Sequence, residues 1–234
     1  MIGENLAFYV RPIDKGDIPQ VTDIDREAFP NEWPSPNYYR ELKNPLAHYI
    51  VACDTEKRIE EPEAVEQKGF SRLTLKLKQF LTGNRSQENE STHSQREYIL
   101  GFAGIWMMAD EAHIINIAVR KGYQRKGIGE LLLISIIGLA MKLDTRAIIL
   151  EVRVSNTPAQ RLYSKYGFTN IGVRRGYYKD NGEDGIMMSL MNIGSASIQE
   201  NLRRLREIHS QKYGLSTKGL STSTGIAPAQ PDNQ

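Results

Sequence analysis

The sequence predicts a mixed α/β fold in which a central sheet carries helices on both faces, and three observations lead to it. Short apolar or alternating segments typical of strands take turns with segments of helical period along most of the chain. The 234 residues suffice for one sizeable core, and 40% of them are hydrophobic, as is ordinary for a globular protein. In the middle of the chain, a glycine-rich turn joins an apolar strand to a nearly apolar helix.

The amino-terminal part begins with a strand predicted over residues 8–11. Residues 17–29 carry apolar side chains at helical spacing, and two prolines beyond them end that helix. A short second helix is expected over residues 36–43, followed by a strand over 49–53.

The second half alternates in the same way. A turn at residues 110–111 separates two strands, and the helix after the glycine-rich turn is apolar nearly all round, which predicts burial on most sides. These elements are strands over 98–108 and 113–119, a helix over 127–141, a strand over 148–152, a helix over 156–166, and strands over 168–174 and 184–191.

Residues 54–97 are charged and polar, and this stretch is much longer than the median connection of ~4–6 residues. We predict an insertion into a single domain of residues 1–194. Within the insertion, apolar side chains fall on one face of a basic amphipathic helix. They are Phe70, Leu73, Leu77, Phe80 and Leu81. Such a helix packs on its own domain, lies on a membrane surface or meets an acidic partner, and plain packing or a linker is the favoured interpretation.

Residues 195–234 are predicted to hold a helix and then a disordered tail. Leu202, Leu205 and Ile208 have helical spacing, whereas the chain from Gly214 onward is rich in Ser, Thr, Gly and Pro.

Charge, hydropathy and cysteine content indicate the cellular compartment of the protein and exclude some classes of binding partner. The net charge of +2 is too small to indicate binding to DNA or another nucleic acid. The chain lacks a run of ~18 apolar residues and a signal-peptide pattern. Its single cysteine, Cys53, has no cysteine partner for a disulfide or a metal site, which suits a reducing compartment. We therefore expect a cytoplasmic protein without a transmembrane segment or a metal.

The turn after the predicted strand over 113–119 has the pattern Gln-x-x-Gly-x-Gly, from Gln124 to Gly129. N–H groups at a helix start point outward together at the positive end of the helix dipole, and the glycines allow close approach of an anion. A Walker loop is excluded because Ile128 follows Gly127, and a dinucleotide loop because Leu132 replaces its third glycine. The pattern indicates a phosphate or pyrophosphate site, with plain packing as the alternative.

The same turn resembles the Arg/Gln-x-x-Gly-x-Gly/Ala motif with which the GNAT acetyltransferase superfamily binds the pyrophosphate of acetyl-coenzyme A. Further segments are similar in order to its RimI-type branch of protein N-terminal acetyltransferases. They are Val10–Pro12, Glu27–Pro30, Trp33, Leu150–Asn156, Leu162–Phe168, Arg174–Tyr178 and Gly182–Leu190. The resemblance covers residues 7–53 and 98–191.

The resemblance implies a mostly antiparallel GNAT sheet and direct transfer of acetyl from acetyl-coenzyme A to the N-terminal amine of a protein. RimI-type enzymes modify a ribosomal protein whose N-terminal residue is alanine, and they use no metal and no covalent enzyme intermediate. A ribosome contact through the basic insertion is a further expectation that only the family suggests.

The resemblance also assigns roles to residues. It makes Glu151 the general base and Tyr163 the general acid, with sheet-surface exposure and simple helix packing as their structural alternatives. It implies that the backbone N–H groups of Ile117, Ala118 and Val119 hold the pantetheine arm and the acetyl oxygen. Other implied cofactor contacts are Gln124, Arg125, Lys126, Gly127, Ile128, Gly129, Glu130 and Asn156, the last of which is otherwise a helix cap.

Some assignments stay open in the sequence. Glu111 is the second candidate base, and His113 is a weaker one because a lone histidine entering a strand is more often structural. Tyr177 and Tyr178 match an aromatic pair at the peptide entrance of relatives, or are exposed hairpin tyrosines. Two other functions remain: acetylation of lysine side chains or small amines, and non-catalytic binding of acetyl-coenzyme A.

Overall fold

The structure is a computed structural model that describes residues 7–30, 36–60 and 95–213. Within these ranges the strands are β1 (Phe8–Pro12), β2 (Ala47–Glu60), β3 (Gln95–Met108), β4 (Glu111–Val119), β5 (Ala147–Arg153), β6 (Thr169–Tyr178) and β7 (Glu183–Met191). The helices are α1 (Ile18–Ala28), α2 (Tyr38–Glu41), α3 (Ile128–Lys142), α4 (Thr157–Lys165) and α5 (Ala196–Tyr213). Short 3-10 turns precede α1 at Lys15–Asp17 and α3 at Lys121–Tyr123.

These strands form one sheet in the order β1-β2-β3-β4-β5-β7-β6. The pair β4–β5 is parallel, whereas β1–β2, β3–β4, β5–β7 and β6–β7 are antiparallel. Helices α1 and α3 both pack against β4, and α4 packs against β5. The predicted mixed sheet flanked by helices is confirmed.

The bounds of several elements differ from those predicted. Strand β2 continues to Glu60 and β3 begins at Gln95, so both ends of the predicted insertion are strand. Charged residues hid these extensions, because residues 55–58 of β2 are all exposed and show no alternation of apolar side chains. Helix α2 is a single turn, and β6 extends four residues beyond its predicted end to Tyr178.

Residues 57–98 form a compact unit of their own. Its described parts are the outer ends of β2 and β3, where the Lys57 Nζ atom lies 3.7 Å from the centre of the Tyr98 ring. The predicted basic helix of the insertion lies outside the described residues, and so does the tail from Gly214 onward.

Helix α1 is fixed to the sheet by apolar packing and by an ion pair. Val21 and Ile24 are fully buried against Phe102 of β3, as the helical spacing predicts. The Arg11 guanidinium of β1 donates from Nη1 and Nη2 to the two carboxylate oxygens of buried Asp17, at 2.6 and 2.9 Å. This bidentate pair ties the end of β1 to the start of α1.

Helix α3 is buried on most sides, as predicted. It packs against β1, β4 and α5, and its buried residues are Ile128, Leu131, Leu132, Leu133, Ile134, Ile136, Ile137 and Ala140. Across the part of the chain that the structure describes, no helix combines the length and the apolar character needed to cross a membrane.

Helix α5 lies on α3 and completes its burial. Leu202, Leu205 and His209 of α5 are buried at helical spacing. Gly138 of α3 leaves room for the Arg206 guanidinium, whose Nη2 atom would lie 3.3 Å from a Cβ at that position.

The role of α3 as the central core helix is tested by Leu132→Ala. Leu132 is 0% exposed, and emptying such a site removes about 2–5 kcal/mol from the free energy of unfolding. Urea denaturation of the full chain measures this loss. The control is Ile208→Ala on α5, where the side chain is 44% exposed and the cost should stay within about 0.5 kcal/mol. Equal losses in the two variants would contradict the assignment.

Candidate active site

The pairing of β4 with β5 ends before either strand does. Their parallel register runs from Glu111 opposite Ala147 to Ile114 opposite Leu150. Beyond that point β4 stays paired with β3 up to Val119, and β5 stays paired with β7 up to Arg153. The two strands therefore part within the sheet and open a cleft between residues 115–119 and residues 151–153.

A β-bulge lies where the strands part. The β3–β4 register shifts between Gly104 and Ile105, so that Ile115 is the extra residue on β4. A bulge bends its strand and increases the local twist, which turns the end of β4 away from β5. Ile115 is exposed beside the cleft.

Buried polar groups support β4 next to this bulge. The Asn116 Nδ2 group donates to the Tyr38 hydroxyl oxygen at 3.3 Å, and the Tyr38 hydroxyl donates to Asp25 Oδ1 at 2.9 Å. Burial, together with the Asp25 carboxylate, raises the pKa of Tyr38 above its ordinary range. The phenol therefore stays protonated and keeps donating to Asp25.

The predicted backbone donors Ile117, Ala118 and Val119 form the β4 side of the cleft. They lie opposite Ala103, Phe102 and Gly101 of β3. Peptide groups alternate in direction along a strand, so those that do not face β3 face the cleft. The cleft is therefore lined by backbone N–H and C=O groups that suit an amide-containing chain.

The glycine-rich turn lies directly after β4, at one end of the cleft. Gln124 Nε2 donates to the Val119 carbonyl oxygen at 3.2 Å and fixes the turn to the strand end. Arg125 and Gly127 adopt left-handed backbone conformations, with φ of 60° and 85°. A positive φ is uncommon for a residue with a side chain, so at Arg125 it marks a tight turn.

Gly127 is the N-cap of α3, and the Ile128 N–H group begins the helix. The side chains of Arg125 and Lys126 are exposed at the turn. A Cβ on Gly129 would meet only Val119 Cγ2, at the ordinary contact distance of 3.7 Å. This side of the turn is therefore open to an anion, which the helix start and the two cations attract.

The Glu130 side chain does not face the turn as a free carboxylate. Its Oε1 atom accepts hydrogen bonds from Lys165 Nζ and, at 2.7 Å, from the Tyr166 hydroxyl. Burial by itself would raise the pKa of Glu130, but the hydrogen bonds from Lys165 and Tyr166 bring it below its ordinary value. The side chain joins α3 to α4, which leaves its backbone N–H as the group for the predicted cofactor contact.

Glu151 lies on the β5 side of the cleft, one residue beyond the last β4–β5 pair. Its side chain is only 15% exposed, and its Oε1 atom lies 3.1 Å from Nη2 of Arg174 on β6. The carboxylate is therefore neither on an open sheet surface nor buried without a partner. Its position is consistent with contact to a group that occupies the cleft.

Tyr163 is half-buried on α4, with its ring 5.8 Å from that of Phe168. Burial raises the pKa of its phenol to about 12. Among the described residues, no side chain or backbone group hydrogen-bonds its hydroxyl. The hydroxyl is therefore a protonated donor that the fold itself does not use.

Asn156 is the N-cap of α4. In the sequence this structural role is the alternative to a cofactor contact. Its Oδ1 atom accepts from the Ala159 N–H at 3.2 Å. The amide nitrogen of the exposed side chain is left for a cofactor contact.

Glu111 and His113 lie at the closed end of the strand pair. The Glu111 carboxylate contacts His113 Nε2 at 3.4 Å and Arg146 Nη2 at 3.6 Å. At ~3.3 Å per residue, Glu111 lies roughly 13 Å along β4 from the level of Glu151. The structure therefore separates Glu111 from the cleft, whereas His113 lies one residue before the last β4–β5 pair.

Tyr177 and Tyr178 meet edge to face at the end of β6, with their ring centres 5.1 Å apart. The Arg174 guanidinium lies 5.5 Å from the Tyr177 ring centre, and that of Arg153 lies 3.9 Å from the Tyr178 ring centre. Because Arg174 also pairs with Glu151, this aromatic pair is connected to the β5 side of the cleft.

Sequence reasoning missed two features of the site. Arg174 stands out in the sequence only as part of a motif, and its pairing with Glu151 needs the order of β5, β7 and β6 in the sheet. The second feature is the carboxyl end of α5, where His209 Nε2 lies 2.8 Å from the Gly127 carbonyl oxygen. No sequence signal points to that contact, because its two residues are 82 positions apart.

Comparison with known proteins agrees with this geometry. Residues 60–168 match the model of the acetyltransferase (GNAT) family. A Bacillus subtilis protein provisionally named [ribosomal protein bS18]-alanine N-acetyltransferase is 34% identical over 180 residues, which are 76% of this chain and 92% of that protein. The [ribosomal protein bS18]-alanine N-acetyltransferase of Escherichia coli K12 is 40% identical over 99 residues, which are 42% of this chain and 67% of that enzyme.

A solved structure has the same fold. The crystal structure of the ribosomal-protein-S18-alanine N-acetyltransferase from Escherichia coli superposes with a TM-score of 0.55 at 24% identity, covering 79% of this chain and 94% of that one. The parted strands, the glycine-rich turn and the extent of the similarity lead to one conclusion: this chain belongs to the GNAT acetyltransferase family.

Proposed function

We propose that this chain transfers acetyl from acetyl-coenzyme A to the N-terminal amine of a protein, most specifically a ribosomal protein whose terminal residue is alanine. The observation that carries the proposal is the cleft between β4 and β5, with the Gly127 turn at one end and the Glu151 carboxylate on its far side. The names of the Bacillus subtilis and Escherichia coli relatives support the choice of substrate.

The residues of the cleft fit acetyl-coenzyme A. The start of α3, together with Arg125 and Lys126, suits the diphosphate, because the N–H groups of the helix start and two exposed cations belong to the same turn. Those peptide groups of residues 117–119 that face the cleft suit the amides of the pantetheine arm. This arrangement directs the thioester toward the parting point, where Glu151 lies.

In the proposed mechanism Glu151 accepts the proton that the attacking amine loses as its nitrogen bonds to the acetyl carbon. Those backbone N–H groups of residues 117–119 that face the cleft stabilise the negative charge that develops on the acetyl oxygen, and losing one such donor typically costs ~2.7–4 kcal/mol of barrier. The carbon–sulfur bond then breaks. Tyr163 donates its phenolic proton to the departing sulfur, so that coenzyme A leaves as a thiol.

The acid–base demands suit an α-amine. A free N-terminus with a pKa of ~7.7–8.0 costs under ~1 kcal/mol to deprotonate at pH 7.5, whereas a lysine with a pKa of ~10.4 costs ~4 kcal/mol. One carboxylate such as Glu151 is sufficient for the first task.

The proposed substrate places the reaction in the cytoplasm, and no metal takes part in the proposed chemistry. A contact with the ribosome through the basic segment of the insertion is a secondary part of the proposal. That segment lies outside the described residues, so the support for this contact is the resemblance to the RimI-type branch. The division into a domain of residues 1–194 and an appended carboxyl-terminal part likewise stays a prediction.

Substrate choice is tested with two peptides of matched sequence, one with a free N-terminal alanine and one with a blocked terminus and an internal lysine. We expect acetyl-coenzyme A turnover only with the free terminus, measured as release of free thiol and as peptide mass. Turnover of the blocked peptide would move the assignment to lysine acetylation. Binding of acetyl-coenzyme A without transfer to either peptide would indicate a non-catalytic module.

The role of Glu151 is tested by Glu151→Gln, which keeps the shape of the side chain but removes its proton acceptor. We expect kcat to fall by about 10²–10⁴-fold, the usual contribution of a general base. Glu111→Gln is the matched control, because it makes the same change at the closed end of the strand pair. A collapse in the Glu111 variant with an active Glu151 variant would transfer the role of base to Glu111.

Tyr163→Phe removes only the phenol and keeps the ring that packs on Phe168. We expect kcat to fall by about 10²-fold through loss of the general acid, with the melting temperature unchanged because the described fold does not use the hydroxyl. With a pKa of about 12, the phenol of the wild type stays protonated, so the pH profile should show no decline assignable to Tyr163 below about pH 11. An unchanged kcat would leave Tyr163 with a packing role.

A further inference from the structure

The carboxyl-terminal turn of α5 contacts the glycine-rich turn at Gly127. His209 is 2% exposed, and its Nε2 atom lies 2.8 Å from the Gly127 carbonyl oxygen. The His209 ring in turn lies against the Tyr213 ring, with centres 4.8 Å apart. Neither His209 nor Tyr213 takes part in the acetyl transfer of the proposed mechanism.

The hydrogen bond has a defined direction. A carbonyl oxygen only accepts, so His209 Nε2 must carry the hydrogen. Burial lowers the pKa of His209 below its ordinary value, which leaves the ring neutral at pH 7. The same carbonyl accepts from the Leu131 N–H at 2.9 Å, as the first bond of α3. Two donors therefore fix the Gly127 carbonyl.

Fixing that carbonyl also fixes the N–H that follows it. The Gly127 C=O and the Ile128 N–H belong to one planar trans peptide, in which they point in opposite directions. With the carbonyl held by His209 and Leu131, the Ile128 N–H must point away from the body of the helix, out of the start of α3. The hydrogen bond of His209 therefore sets the direction of a donor to the anion site.

Tyr213 limits the conformations of the same peptide. A Cβ on Gly127 would lie 2.5 Å from Cε2 of the Tyr213 ring, so the ring rests directly on the glycine. Gly127 also needs its φ of 85°, which residues with a side chain rarely adopt. The ring therefore blocks movement of the glycine toward α5.

We propose that His209 and Tyr213 are positioning residues for the diphosphate of acetyl-coenzyme A, acting through the Gly127–Ile128 peptide. This inference rests on the proposed use of acetyl-coenzyme A. It assigns to α5 a part in cofactor affinity, separate from the chemistry at Glu151.

The test compares two acetyl donors with the full-length protein. Acetyl-coenzyme A carries the diphosphate, whereas S-acetylpantetheine presents the same thioester and amides without it. His209→Leu removes the donor but keeps apolar bulk, and His209→Gln retains an N–H at a similar position. Tyr213→Ala removes the ring, and Gln211→Ala, at an exposed position of the same turn, is the control.

For His209→Leu and Tyr213→Ala we expect the KM for acetyl-coenzyme A to rise about fivefold, the equivalent of one net hydrogen bond. The kcat and the KM for the peptide should stay within twofold of the wild type, as should kcat/KM with S-acetylpantetheine. His209→Gln and Gln211→Ala should resemble the wild type with both donors. Equal losses with both donors, or no loss with either, would overturn the proposal.

Binding measurements separate this inference from the proposed function. If the wild type transfers no acetyl, the Kd of coenzyme A from isothermal titration calorimetry replaces the KM, and a fivefold weaker value for the two variants still supports the role of α5. If His209→Leu does not fold, Tyr213→Ala at the helix end decides the question alone. An unchanged Kd or KM in that variant rejects the proposal.

Discussion

The parting of β4 from β5 after Ile114 and Leu150 is the constraint on which the rest of the site depends. Two parallel strands with free facing edges would ordinarily continue to pair, because an unpaired buried peptide group costs free energy. Here each strand is held by its outer neighbour, β3 on one side and β7 on the other, and the bulge at Ile115 bends β4 at that point. The sheet therefore keeps an internal edge whose peptide groups are available to a hydrogen-bonding ligand.

This geometry explains the difference between residues that look alike in the sequence. Glu111 and Glu151 both stand on apolar strands, but only Glu151 lies where the strands have separated. Glu111 is at the closed end, where Arg146 and His113 engage it. The turn at Gly127 follows the free end of β4, so the proposed anion site and the Glu151 carboxylate lie on the two sides of the same opening.

Local sequence pattern is sufficient to predict much of this arrangement. The period of the apolar residues predicts α1, the nearly apolar segment after the glycine-rich turn predicts α3, and the spacing of the glycines predicts the anion turn. Glu151 and Tyr163 are recognised only through the family resemblance, because a carboxylate or a tyrosine has no pattern of its own. The full length of β2 and β3 escapes prediction since their outer ends are polar, and the Arg174–Glu151 pair escapes it because that pair depends on strand order.

The packing of α5 also bears on how far the chain can be shortened. A protein ending at residue 194 would retain every strand of the sheet and both proposed catalytic residues. It would also retain every segment that resembles the RimI-type branch. It would nevertheless uncover the surface of α3 on which Leu202 and Leu205 lie, and release the Gly127 carbonyl from His209. We expect such a truncated enzyme to aggregate more readily and to bind its acetyl donor more weakly, although it retains Glu151 and Tyr163.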